Sequence, residues 1–343
     1  MKNIWLHSVR FYIKLGLFFY YKNIKVINAK YIPKDKPVLF LSNHQNALLD
    51  PLLIVTSCNL MPYFLTRAGV FKSDFVSKFL KGLQLLPVYR VRDGWSTIKN
   101  NKEIFETSGS LLHSGESLGV FPEGNHSLKR TVRPLSRGFT RVVFETLERF
   151  PETDLQIIPI GLNYKKPTCF GDSCTVIYGK PIALKDIDIS NKNKAASALK
   201  ATVFNELKLL TTHIPVENYN KILNVLKTKK ANFLNPNAIN KFILKGVEVD
   251  GFKKEKSSLF VKPLFKVLLI VCLILPYVCW RFVAKPKIKE NEFIDTFRFA
   301  IAITLVPIWV VLLMLIILVL IGWTFSLAYL IMVLFFALLA VKA

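Results

Sequence analysis

The sequence predicts an α/β domain with a central, mostly parallel or mixed sheet flanked by helices, followed by a C-terminal α-helical membrane region. Two observations predict the sheet. Between residues 26 and 180, apolar runs of strand length alternate with longer mixed segments, and the clearest runs stop abruptly at polar or Gly-containing sequence. A third predicts the membrane region: the apolar excess of a chain that is 52% hydrophobic gathers in roughly its last eighty residues.

In chain order, residues 1–23 carry Trp5, Phe11, Tyr12, Leu15, Phe18 and Phe19 at about helical spacing, interleaved with Lys2, Arg10 and Lys14. This predicts an amphipathic helix, lying in the membrane interface or packed on the domain that follows. The stretch lacks a long apolar run and a small-residue cleavage site, so it is not read as a signal peptide. Runs at 38–41, 118–121 and 157–160 are the buried-strand candidates. Asn43-His44, Pro122-Glu123-Gly124 and Asn163-Tyr164 are therefore expected on loops at strand ends, where a rigid sheet positions reactive groups. Residues 186–262 are Lys- and Asn-rich, with Leu199, Val203, Leu207 and Leu210 at helical spacing; a helical appendage or linker without chemistry is expected.

Residues 263–343 read as a transmembrane or hairpin region, with apolar segments at 264–283, 299–321 and 323–341. One helix through the last two would be about 60 Å long, twice a hydrocarbon core. A break is required, and Gly322 is favoured over Pro307. The loop after the first segment holds Lys285, Lys287, Lys289 and Arg298, and short basic loops are normally retained in the cytoplasm. With Pro276 inside it, that first segment is expected to bend and return.

The 47 Lys and Arg against 23 Asp and Glu give a formal charge of +24, which favours anionic partners. Nucleic acid is disfavoured, because no helix-turn-helix, zinc-finger or RNP-like pattern accompanies the charge. Anionic lipid and phosphorylated small molecules remain. The five cysteines form no CxxC pair, so neither a zinc site nor a disulfide framework is indicated, and a reducing cytoplasmic setting fits.

Chemistry concentrates in two segments. After the first strand comes Ser42-Asn43-His44, with Asp50 on the same stretch. A carboxylate bonded to one imidazole nitrogen leaves the other as a proton acceptor, able to activate an alcohol attacking a carbonyl without an enzyme nucleophile. The second segment, Phe121-Pro122-Glu123-Gly124-Asn125-His126-Ser127, is followed by Lys129, Arg130, Arg133 and Arg137, a cluster suited to phosphate or to a solvated face. Upstream, Pro87-Val88-Tyr89-Arg90 ends another apolar run.

Taken in this order, these segments, with Ile158-Pro159-Ile160 and the closing Tyr178-Gly179-Lys180-Pro181-Ile182, resemble the glycerolipid acyltransferase family, which includes lysophosphatidate and glycerol-3-phosphate acyltransferases. The resemblance covers about residues 24–185 and implies an acyltransferase domain there. It implies that His44 and Asp50 are catalytic and that Asn43, Arg90, Glu123, Gly124, Arg130 and Arg133 contact substrate. The donor would be acyl-CoA or acyl carrier protein, and the acceptor 1-acylglycerol-3-phosphate or glycerol-3-phosphate. Another lipid acceptor (an amino-acid lipid, a glycolipid or a lysophospholipid) and a silent lipid-binding scaffold are the alternatives. No cofactor or metal is expected. An integral membrane protein with its catalytic domain on the cytoplasmic face is implied, with membrane lipids as surroundings. Two departures stand out: five residues separate His44 from Asp50 where four are usual, and Asn125-His126 replaces the usual Thr-Arg. Arg130 and Arg133 are the candidates to supply the missing basic contact.

Overall fold

The computed structural model describes residues 2–89, 101–184, 187, 190–246 and 261–343. Its sheet is built around β2 (Val38–Ser42), five consecutive buried residues. A strand covered on both faces needs no polar face, which is why it reads as an unbroken apolar run. The strand order is β1-β7-β6-β2-β5-β3-β4, using β1 (Asn23–Ile27), β3 (Tyr63–Arg67), β4 (Leu85–Val88), β5 (Ser117–Val120), β6 (Gln156–Tyr164) and β7 (Ser173–Tyr178). A short β8 (Ile182–Ala183) pairs with the start of β6. β2 runs parallel to β5 and β6, β3 to β4 and β5, and β1 to β7, whereas β6 is antiparallel to β7 and β8. Pro159 falls where β6 has left β8 and not yet joined β7, so its missing N–H costs no ladder bond on that side.

Alternate residues of β2 enter opposite cores, as the two-residue strand period requires. Leu39 and Leu41 join Leu118 and Ile157 under α4 (Asn101–His113), α5 (Gly138–Arg149) and α6 (Lys192–Leu210). Val38 and Phe40 join Ile158 and Ile160 under α1 (Lys2–Tyr20) and α2 (Leu49–Ser57). Helix α1 packs on the domain: Leu17 and Tyr20 are buried in its core, while Ile4, Trp5, Phe11 and Phe18 are exposed.

One expectation needs correction. Asn163 and Tyr164 do not lie on a loop; antiparallel pairing with Thr175 and Cys174 carries β6 through both. Adjacent β7 supplies bonding partners that an apolar-run criterion does not detect, since the strand continues past its last aliphatic residue.

After the domain come α6, α7 (Tyr219–Thr228) and α8 (Pro236–Lys245), the last two enclosing a small core of Ile214, Leu226, Phe233 and Ile239. The unit is pressed onto the sheet at Gly161, where a Cβ would lie 2.1 Å from the carbonyl oxygen of Leu210.

In the C-terminal region α9 (Val261–Cys272) and α10 (Ile274–Val278) meet at a 100° bend. The Cys272 carbonyl freed there accepts from Trp309 Nε1 at 3.0 Å, which removes the cost of an unpaired backbone group. Helices α11 (Ile294–Leu320) and α12 (Trp323–Lys342) break at Gly322 and pack as a hairpin, with Pro307 inside α11. Among the described residues, two helices, Asn291–Leu320 and Trp323–Lys342, are long and apolar enough to cross a membrane. The hairpin returns to its start: Lys342 Nζ donates to the carbonyl of Tyr21 at 2.7 Å. At the other end Phe299 of α11 is wholly buried in the α1–α2 core.

Candidate active site

His44 sits in the loop joining β2 to α2, and Asp50 is the second residue of that helix. Five residues separate them, yet Nδ1 of His44 lies 2.7 Å from Oδ2 of Asp50. The same carboxylate oxygen accepts the backbone N–H groups of Gln45 at 2.7 Å and Asn46 at 2.8 Å, so the loop closes around it. Asp50 has no exposed surface. Its charge is stabilised by these donors, by the helix N-terminus and by the phenol of Tyr164, which donates to Oδ1. Burial and the Asp50 charge push the Tyr164 phenol well above its ordinary range, so it stays a donor. The His44 ring stacks on Phe121 at 4.0 Å between centroids and meets His126 edge-on at 5.7 Å.

Asn43 is committed to the backbone. Its Nδ2 donates to the Leu162 carbonyl at 3.0 Å and its Oδ1 accepts the Leu162 N–H at 2.8 Å, which prolongs the β2–β6 pairing through a side chain. Its amide thus locks the base of the His44 loop.

The segment after β5 turns back at Gly124, whose φ of 77° lies in the left-handed region that favours glycine, with nothing within 4 Å of where a Cβ would be. Glu123 is held by Arg133: Nε donates at 2.8 Å and Nη2 also contacts the same oxygen, while Asn125 accepts from the other side of the guanidinium. Burial pushes the Glu123 carboxyl up, and Arg133 opposes that. Arg130 is buried, donating to the carbonyls of Tyr164 and Lys165 at 2.9 and 3.0 Å, with its guanidinium 3.8 Å from the centroid of the Phe233 ring. Burial lowers its pKa to about 10, so it remains a cation at neutral pH.

His44, Glu123 and Arg130 line one pocket that opens to solvent, together with Asn43, Gln45, Lys129, Asn163, Thr211 and Thr212. Within that lining Gln45 Oε1 and Thr212 Oγ1 are buried without a hydrogen-bond partner. Thr211 and Thr212 come from the turn after α6, so the appendage expected to carry no chemistry supplies part of this wall. Its sequence signal was masked because two threonines after a helix are ordinary capping residues. Tyr164 was placed at a strand end by the sequence but without a partner, because Asp50 lies 114 residues away. Arg90 lies outside the described residues. Arg137 is not among the pocket-lining residues; its Nη1 donates to Asn193 at 3.3 Å.

Among the described residues, His126, Glu290 and Glu292 bring potential ligand atoms within 4.8 Å of one another. His126 Nε2 and Glu290 Oε2 are already joined by a hydrogen bond at 2.9 Å, which accounts for their proximity.

Comparison with known sequences agrees with the motifs. Residues 23–163 match the family model described as Acyltransferase. Over 118 residues the chain is 29% identical to the 1-acyl-sn-glycerol-3-phosphate acyltransferase of Bacillus subtilis, an alignment covering 34% of this chain and 53% of that protein. Over 157 residues it is 28% identical to the probable 1-acyl-sn-glycerol-3-phosphate acyltransferase of Mycoplasma genitalium, covering 44% and 53%. The chain thus spans about half the length of these relatives. The crystal structure of the 1-acyl-sn-glycerophosphate acyltransferase PlsC from Thermotoga maritima aligns with a TM-score of 0.40 at 16% identity, over 60% of this chain and 80% of that one.

Proposed function

We propose that this chain, whose residues 23–163 match the acyltransferase family model, moves a fatty acyl group from the thioester of acyl-CoA or acyl carrier protein to a hydroxyl of 1-acylglycerol-3-phosphate or glycerol-3-phosphate. The observation that carries the reading is the 2.7 Å contact between His44 Nδ1 and the buried Asp50. With its Nδ1 proton directed at the carboxylate, the imidazole keeps a lone pair on Nε2. Nε2 takes the hydroxyl proton as the acceptor oxygen attacks the thioester carbonyl. Collapse of the tetrahedral species breaks the C–S bond, and the imidazolium returns the proton to the leaving thiolate. No acyl-enzyme is formed.

Acceptor binding is supported by the pocket beside His44. Lys129 and Arg130 bring positive charge to its lining, which suits a phosphate. The Glu123–Arg133 pair presents an ordered carboxylate for acceptor hydroxyls. The catalytic domain works on the cytoplasmic face, where a formal charge of +24 meets an anionic lipid surface.

The test is purified protein in detergent, supplied with acyl-CoA or acyl carrier protein thioester and offered each acceptor separately, with products read by mass spectrometry. Acylated product is expected, and His44→Ala should lower turnover about 10²–10⁴-fold. Failure of both donors with both acceptors would overturn the reading. Product formed only on a glycolipid, an amino-acid lipid or another lysophospholipid would keep the chemistry and reassign the acceptor.

A further inference from the structure

The first turn of α11 bonds directly to the catalytic loop. Asn46 links the two: its backbone N–H donates to Asp50 Oδ2 at 2.8 Å, and its side-chain Nδ2 donates to Asp295 Oδ2 at 3.3 Å. Two residues on, the Leu48 N–H donates to Thr296 Oγ1 at 3.1 Å. Asp295 is only 1% exposed. A carboxylate so buried is costly unless its lone pairs are used, and here they are: Tyr20 donates to Oδ1 at 3.0 Å, and Arg298 pairs with the same oxygen while also donating to the Thr168 carbonyl at 2.7 Å. A second route reaches the same centre. His126, edge-on to His44, is held by Glu290 at 2.9 Å and by the Phe293 ring at 4.6 Å, both in the segment leading into α11.

We propose that Asp295 and Thr296 are positioning residues for His44, so that the start of this long apolar helix is part of the active centre as well as an anchor. The inference rests on the acyl-transfer reading of His44. Simple docking of a helix on a domain would bury apolar side chains, as Phe299 does. It would not require a buried carboxylate and a hydroxyl spent on residues 46 and 48 of the loop whose ends are His44 and Asp50. The middle of that loop is where α11 bonds it, and two fixed bonds at its centre remove conformers it would otherwise sample.

The test compares Thr296→Val, Thr296→Ser and Asp295→Asn in the full chain in detergent. Thr304→Val serves as control; its hydroxyl is exposed and bonds only within the helix, to the Ala300 carbonyl at 2.7 Å. Thr296→Val and Asp295→Asn are expected to lower kcat roughly 10- to 100-fold with little change in either KM. Thr296→Ser should restore the rate, and Thr304→Val should not alter it. Independently of turnover, the rate at which diethyl pyrocarbonate modifies His44, resolved by peptide mass spectrometry, should rise in Thr296→Val and Asp295→Asn only. Unchanged kcat and unchanged His44 reactivity in both would overturn the proposal. Should the wild-type chain transfer no acyl group while His44 reactivity still responds to Thr296→Val, the functional reading fails and the positioning role stands.

Discussion

Tyr164 on β6 donates its phenolic hydrogen to the one oxygen of Asp50 that His44 does not use, so the carboxylate of the His44 loop is fixed from the sheet as well as from the loop. Both residues are fully buried. Removing that donor while keeping the ring isolates its contribution. Tyr164→Phe should destabilise the protein by about 1–3 kcal/mol, the cost of leaving a charged buried acceptor short of one bond. It should also lower kcat with little change in KM, because the imidazole loses part of its orientation. Thermal unfolding in detergent together with initial rates checks both, and a variant as stable and as fast as wild type would refute the coupling.

Glu123 and Arg133 form the other fixed pair at the pocket. Glu123→Gln keeps the shape but removes the charge that orients the guanidinium, and Arg133→Lys removes the planar fork that reaches both Glu123 and Asn125. Each should raise the acceptor KM on the order of tenfold while the donor KM moves little. Steady-state kinetics with both substrates varied decides it; a large donor effect with an unchanged acceptor KM would move these residues to the carrier side.

Asp172 sets a pH dependence whose sign follows from its surroundings. Burial raises its carboxyl from an ordinary 3.8 to about 6, although both oxygens accept the Lys166 N–H at 2.9 Å. Between those values the folded state binds more protons than the unfolded one, so this residue's contribution to stability is full below about pH 4 and is lost as pH rises through about 6. Asp172→Asn should remove that component. The difference in unfolding free energy between wild type and variant, followed from pH 4 to 7, should shift in the variant's favour as pH rises; a flat difference would contradict the assignment.

Topology follows from where the helix ends lie. Asp295 at the start of α11 and Lys342 at the end of α12 both touch the catalytic domain, and Lys262 of α9 donates to the Val341 carbonyl at 3.2 Å. The 100° bend between α9 and α10 keeps that pair from forming one straight span. We expect the pair to enter and leave on the catalytic side while α11 and α12 cross. Cysteines placed at Lys287 and Lys342, with Cys169, Cys272 and Cys279 replaced by Ala, should resist a membrane-impermeant thiol reagent until cells are lysed. Labelling at Lys287 in intact cells would exclude this arrangement.

What the amino-acid order determined by itself is what short-range physics controls. The buried runs at 38–41 and 157–160 are legible because a strand covered on both faces reads as a continuous apolar run, and the break at Gly322 because an uninterrupted helix would be twice as long as a hydrocarbon core. The nearness of His44 to Asp50 is legible because six positions of chain fold back at one helix N-terminus. The tertiary structure alone decided who completes the site. Tyr164 on Asp50, Asp295 on Asn46 and Thr212 in the pocket wall come from elements whose sequence separation carries no periodic signal; Asn46 and Asp295 stand 249 positions apart. It also decided the fate of the basic cluster, which composition presents as equivalent cations: Arg133 is bound to Glu123, Arg130 is buried under Phe233, and Lys129 stays exposed at the pocket. Packing, which sets the desolvation of each charge and the partners within its reach, distinguishes them.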